Sequence, residues 1–142
     1  PETQKLRDLL PRADLSSLKN YYAYQCRRSR LDPQEPVLSA EEKRLDDYIP
    51  KRIKGFEYAE DFLYLERALG DAEIKKKLSL YHAESTVPWE ALNFADGKRS
   101  LLEIRNALAA EFSPVSISLD MVEEYFRALE KAGVVNIEGR TP

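Results

Sequence analysis

The sequence predicts a mainly α fold, in which a helical N-terminal region precedes a winged-helix-like tri-helical core with a small two-stranded sheet. Three observations predict it. Residues 87–137 carry a start signal, a stop signal and an apolar stripe for each of three helices. The same stretch holds two β-prone runs, Val115 to Ser118 and Val134 to Ile137, short enough for only a minimal sheet. Upstream, helical spacing recurs between proline and glycine breaks. The division is therefore expected at 86/87: residues 1–86 as a helical arm or mini-domain with a proline-rich connector, residues 87–142 as the winged-helix-like domain.

In the first region, Asp14 caps a helix whose apolar positions Leu15, Leu18, Tyr22 and Cys26 follow helical spacing and which ends in Arg27-Arg28-Ser29-Arg30. Residues 31–37 read as a connector, because Pro33 and Pro36 lack backbone donors and bias the residues before them to extended geometry. Ser39 with Glu42 forms a capping box, opening a short helix through Leu45 to Tyr48 that Pro50 stops. Lys51 to Gly55 then reads as a basic loop. Tyr58, Phe62, Leu65 and Leu69 share one helical face, which predicts a helix over 57–69 stopped by Gly70. Asp71 caps a second helix with Ile74, Leu78 and Tyr81 on one side. Seven of the eight tyrosines lie in this region. Rings that pack while their hydroxyls stay wet suit an arm wrapping another surface, and equally a mini-domain packed on the C-terminal module.

The second region opens with Pro88 in the first turn of a helix, where its missing N–H is not needed; Trp89, Leu92 and Phe94 supply apolar contacts before Asp96-Gly97 ends it. Ser100 and Glu103 make the second capping box, with Leu101, Ile104, Leu108 and Phe112 keeping one face apolar until Ser113-Pro114. Val115-Ser116-Ile117-Ser118 alternates with period two, predicting a short strand. Ser118 caps the third helix, which buries Met121, Val122, Tyr125, Phe126 and Leu129. Gly133 is its left-handed stop, and Val134 to Ile137 is expected to pair with Val115 to Ile117.

Composition narrows the function. At 142 residues, 43% hydrophobic and 33% charged, the chain is that of a soluble globular protein, with no run approaching the roughly 20 apolar residues that span a bilayer. It opens Pro1-Glu2-Thr3 with no basic and apolar leader and no methionine, which fits either a trimmed Met or a piece of something longer. Cys26 is the single cysteine, so an intrachain disulfide is impossible and a reducing cytoplasm is the expected location. With one histidine, His82, and neither a CxxC pair nor an HExxH, no metal site is expected. The same shortage removes nucleophile-and-base catalysis in its usual form, and five glycines give no phosphate-cradling loop. No catalytic set and no cofactor is predicted.

A helix-turn-helix core invites a DNA-binding reading, which charge tests. The polar face of the third helix offers Asp120, Glu123, Glu124, Arg127, Glu130 and Lys131, four acids against two bases. That face repels the phosphate backbone whose neutralisation supplies most nonspecific affinity. From Val87 on there are nine acids and six bases, and the whole chain carries −3. Only five residues follow Ile137, too few for the returning strand of a full wing.

Two resemblances rest on Leu92-Asn93-Phe94-Ala95-Asp96-Gly97-Lys98-Arg99-Ser100 with Glu103-Ile104-Arg105, and on Leu129-Glu130-Lys131-Ala132-Gly133-Val134-Val135. The last third resembles the C-terminal winged-helix-like tail of some bacterial zinc-dependent exopeptidases of the aminopeptidase clan, in which similar DGKRS and LEKAGVV strings close the chain. That resemblance implies the noncatalytic end of such an enzyme, so no zinc ligand or catalytic residue carries over. The same pattern is similar to the peptide-recognition domain of pyrroloquinoline quinone biosynthesis, which implies binding of a leader peptide as an added strand. This chain departs from the second family by having a long helical region where that family places a hairpin.

The resulting expectation is a noncatalytic protein- or peptide-interaction module, with a homodimer compatible with it. On the strand-addition reading, Val115, Ile117, Val134 and Ile137 form the sheet surface and Tyr125 its lip. Lys98, Arg99 and Arg105 form a small cationic corner for a carboxylate or acidic partner, against the plainer reading in which Asp96-Gly97 turns the chain and Ser100 caps a helix. Trp89 is either a packing residue or a stacking platform. The alternative is a dimeric DNA-binding regulator using Arg27, Arg28, Arg30, Lys51, Arg52 and Lys54.

Overall fold

The computed structural model describes residues 15–34, 37–53 and 63–140. The chain divides into two units, Pro1–Val37 and Leu38–Pro142. Compared with the expected division at 86/87, residues 38–86 belong with the C-terminal helices. The reason is physical: Leu45, Leu65, Leu78 and Leu80 are buried in one cluster with the helices that follow 86.

The first unit contains α1, Leu15–Arg28. Its end is built by the backbone: Leu31 N–H donates to the Cys26 carbonyl at 2.9 Å and Arg30 N–H to that of Arg27 at 3.1 Å, with Arg30 left-handed at φ 57°. This is the Schellman arrangement, with arginine where glycine is usual. The Tyr22 hydroxyl lies 3.3 Å from the Gln34 N–H it accepts, pinning the connector to the helix. Asp14, expected as the cap, lies outside the described residues.

In the second unit, α2 (Ala40–Asp46) opens on the Ser39–Glu42 capping box as the sequence predicts. Its end departs from expectation. Tyr48 starts strand β1, Tyr48–Arg52, instead of closing the helix, and Lys51 and Arg52 are in that strand instead of a loop; Lys54 and Gly55 lie outside the described residues. Helix α3 is described over Leu63–Leu69, and Gly70 follows it with φ 64°. The single helix expected after Asp71 is two short ones, α4 (Ile74–Lys77) and α5 (Leu80–Ala83). Then come α6 (Val87–Asn93), α7 (Leu101–Glu111), α8 (Leu119–Lys131) and strand β2 (Val135–Gly139).

Helix α8 is the centre of the unit. Val122, Tyr125, Phe126 and Leu129 are essentially without solvent contact, and elements on several sides, α2, α3, α5, α7 and β2, pack against it. The Tyr125 hydroxyl donates to the Pro88 carbonyl at 2.8 Å, and its ring meets Tyr81 edge-on at 5.8 Å. A buried phenol needs such an acceptor, because an unmade hydrogen bond there forfeits its desolvation energy.

The sheet corrects the expected pairing. β2 pairs antiparallel with β1, from Tyr48 opposite Gly139 to Arg52 opposite Val135, and Val115 to Ser118 form no strand. The alternation in that run is real as burial: Val115 is half-buried, Ser116 exposed and Ile117 buried. Its backbone is spent differently, with Val115 N–H closing a turn onto the Phe112 carbonyl at 2.7 Å and Ser118 capping α8. The strand that pairs with β2 comes from upstream, as β1. Its proline fits because Ile53 N–H bonds the Val134 carbonyl and Arg140 N–H the Asp47 carbonyl. That phase turns the N of Pro50 away from β2, so no ladder donor is lost.

Candidate interaction surface

The phase of the ladder also decides which edge is available. On the outer edge of β1, Gly97 N–H donates to the Pro50 carbonyl at 3.1 Å, Arg52 N–H donates to the Ala95 carbonyl at 3.1 Å, and Lys51 bridges Asp96. The Asp96-Gly97 turn therefore closes that side. The other edge, where the backbone groups of Val135, Ile137 and Gly139 point outward, has no strand partner among the described residues. One of its donors is covered: the Glu130 carboxylate accepts the Ile137 N–H at 3.2 Å. A charged side chain placed over an unpaired donor is a common means of guarding an exposed strand edge.

Beside this edge lies the polar face of α8, where Glu123, Glu124, Arg127 and Glu130 have partners within the chain. Arg44 of α2 makes a bidentate pair with Glu123, with both contacts at 2.6 Å. Arg127 lies 3.1 Å from Glu130 and stacks over the Tyr48 ring at 4.6 Å. The Arg44 hydrogen bond holds the Glu123 carboxyl below its usual range, against the opposing effect of burial. Ser79 N–H donates to Glu124 at 3.3 Å. On its far flank, α8 borders an open depression of about 380 Å³ between it and α3–α4, floored by Leu69, Ile74, Leu78 and Ala128.

The residues predicted from sequence separate into distinct places. Ile137 sits half-buried on the β2 edge, while Val134 is buried just before the strand and Ile117 is buried away from any ladder. Tyr125 is core, 1% exposed, and forms no lip. Trp89 is half-buried in the first turn of α6. The cationic corner is not assembled as one group. Arg99 pairs with Asp96 at 3.3 Å and lies over Phe94 at 5.0 Å, Arg105 reaches Glu42 at 3.5 Å, and Lys98 is exposed. Arg52, counted among DNA-contacting bases, instead caps the end of α6 through the Leu92 carbonyl at 2.9 Å. Among the described residues, no cluster of three or more His, Cys, Asp or Glu side chains is placed to hold a metal, and no helix is long and apolar enough to cross a membrane.

No family model, curated protein or solved structure matches this chain.

What the sequence reading missed is the contribution of β1 and of Glu130. Tyr48-Ile49-Pro50-Lys51-Arg52 has no apolar–polar alternation, and its proline argues against a strand, so β1 carries no period-two signal. Glu130 carries no local signature, since its role depends on where β2 returns.

Proposed function

We propose that this chain is a noncatalytic protein- or peptide-interaction module that takes up an extended partner segment along the outer edge of β2. The observation that carries this reading is the asymmetry of the sheet: one edge is closed by the 95–97 turn, and the other has outward backbone groups and a single side-chain cover. Strand addition uses such groups for affinity, and neighbouring side chains for selection. Ile137 and Gly139 offer the backbone, and Arg127 with Tyr48 borders the path. The accessory-tail placement in a cytoplasmic zinc exopeptidase belongs to the same proposal, supported by the DGKRS and LEKAGVV strings and by the absence of a catalytic set in the sequence.

The test is selection from a displayed library of unstructured peptides, followed by titration of recovered peptides against the Gly139→Pro variant. That substitution removes an outward N–H and no inward one. Loss of binding in a variant of unchanged circular dichroism supports the reading. Equal binding, or recovery of no peptide, rejects it.

A further inference from the structure

Two stretches of this chain carry opposite, unmixed charge. From Leu15 to Leu31 there is no Asp or Glu, while Lys19, Arg27, Arg28 and Arg30 are present; from Asn106 to Phe126 there is no Lys or Arg, while Glu111, Asp120, Glu123 and Glu124 are present. The other long stretch without Lys or Arg, residues 78–97, has its acids engaged, Glu84 with Thr86, Glu90 with Asn93 and Asp96 with Arg99.

The structure gives each run a surface. On α1, Tyr21, Tyr24 and Arg28 fall at i, i+3 and i+7 and so share a face. Tyr21 is 63% and Tyr24 57% exposed, whereas Cys26, on the opposite side, is buried. Isolated helices of about 14 residues are marginal in water, so an uncovered ring face on such a helix calls for a covering surface. The second surface is the end of the second unit where α7 hands over to α8. There Glu111 and Asp120 are exposed and enter no ion pair among the described residues, unlike Glu123, which Arg44 neutralises. Phe112, Val115, Leu119 and Met121 stand half-buried between them. Acids with half-exposed apolar side chains are the complement of arginines with exposed tyrosines, residue types that dominate interface energetics.

We infer that the Tyr21–Tyr24–Arg28 face of α1 docks on the Glu111–Asp120 end of a second copy of this chain, giving a reciprocal dimer. Both halves of the contact are present on one chain, so two copies satisfy each other by a twofold exchange. None of the residues named for the dimer is among those named for the β2 edge, so variants at one and at the other test peptide uptake and dimerisation independently.

Sedimentation equilibrium of the full chain tests this. A concentration-dependent dimer, weakened by salt, is expected. Arg27→Glu with Arg28→Glu raises the dimer dissociation constant by at least about tenfold, as does Glu111→Arg with Asp120→Arg, and combining all four returns it to within about threefold of the parent. Tyr21→Ala with Tyr24→Ala weakens the dimer with no change in charge. Circular dichroism checks that each variant is folded; if Asp120→Arg disturbs α8, Glu111→Arg against Arg28→Glu serves alone. A monomer up to about 1 mM, a dimer indifferent to charge reversal, or no recovery on combining the reversals overturns the inference.

Discussion

Arg44 and Glu123 meet fork to fork across α2 and α8, two contacts of 2.6 Å between residues 79 positions apart. The pair fixes α2, and with it the start of β1, against the central helix. It also takes one of the four acids on the third helix out of play as a free charge.

The pair makes stability pH-dependent with a definite sign. Glu123 is held below its usual range mainly by Arg44, Glu42 by the Ser39 backbone hydrogen bond, and Asp71 by its hydrogen bond with Lys77. Depressed carboxylates contribute stability that is complete above the unfolded-state values of about 4 and is lost as pH falls through the lower folded-state values. Urea midpoints measured between pH 7 and 2.5 are expected to fall below about pH 4, and Glu123→Gln to flatten that acid limb. An unchanged limb in Glu123→Gln would remove the pair as its source.

Ser100 performs two tasks with one hydroxyl. It accepts from Glu103 N–H at 3.1 Å to cap α7 and donates to Asp46 at 2.8 Å, fully buried. Ser100→Ala loses the cap and leaves Asp46 short of a donor, so a loss of about 1–3 kcal/mol is expected by chemical denaturation. A loss near zero would mean that water replaces both partners.

Gly97 and Gly133 separate strain from crowding. Both have φ near +75°, but a Cβ at Gly97 would lie 3.0 Å from Lys51 Cγ and Cδ, whereas one at Gly133 meets nothing within 4 Å. Alanine at Gly133 is expected to cost about 1 kcal/mol from the left-handed backbone alone. At Gly97 the same backbone penalty applies, and Lys51 must also move at the turn that closes the sheet edge. The larger melting-temperature drop should therefore be in Gly97→Ala; the reverse order would show that the Lys51 side chain yields freely.

Tyr125→Phe tests whether this aromatic is core. Removing the hydroxyl deletes its hydrogen bond to the Pro88 carbonyl, and a loss of about 1 kcal/mol is expected. A lip residue of a binding site would instead change ligand affinity with stability intact.

Duplex DNA provides the opposing check. With the outer face of α8 acidic and Arg52 serving as a helix cap, no anisotropy change with a labelled duplex is expected even at low salt. A salt-dependent rise, abolished by Arg27→Ala and Arg28→Ala, would revive the regulator reading.

Local chemistry was legible wherever a few neighbouring residues suffice. Both Ser-x-x-Glu capping boxes form, Ser118 caps α8, and Gly70 and Gly133 take the positive φ expected of helix stops. The Val115–Ser118 run shows the limit. Its apolar–polar alternation predicts a strand that does not form and coincides only with burial, because alternation describes faces and leaves hydrogen-bond partners open. The candidate site was less legible still: Ile137 lies on the available edge, but Gly139, Glu130 and Tyr48 became neighbours only through folding.

The sequence by itself determined the mainly helical class, the caps and stops, the burial stripe of α8 and its acidic outer face, since each depends on periodicity or on side-chain-to-backbone contacts within a turn. Only the tertiary structure decided which segment pairs with β2, which sheet edge stays open and which charges are spent on one another. Those are contacts between residues such as Pro50 and Ile137, or Arg44 and Glu123. Many registers satisfy the same local pattern, and only contacts between residues distant in sequence select among them.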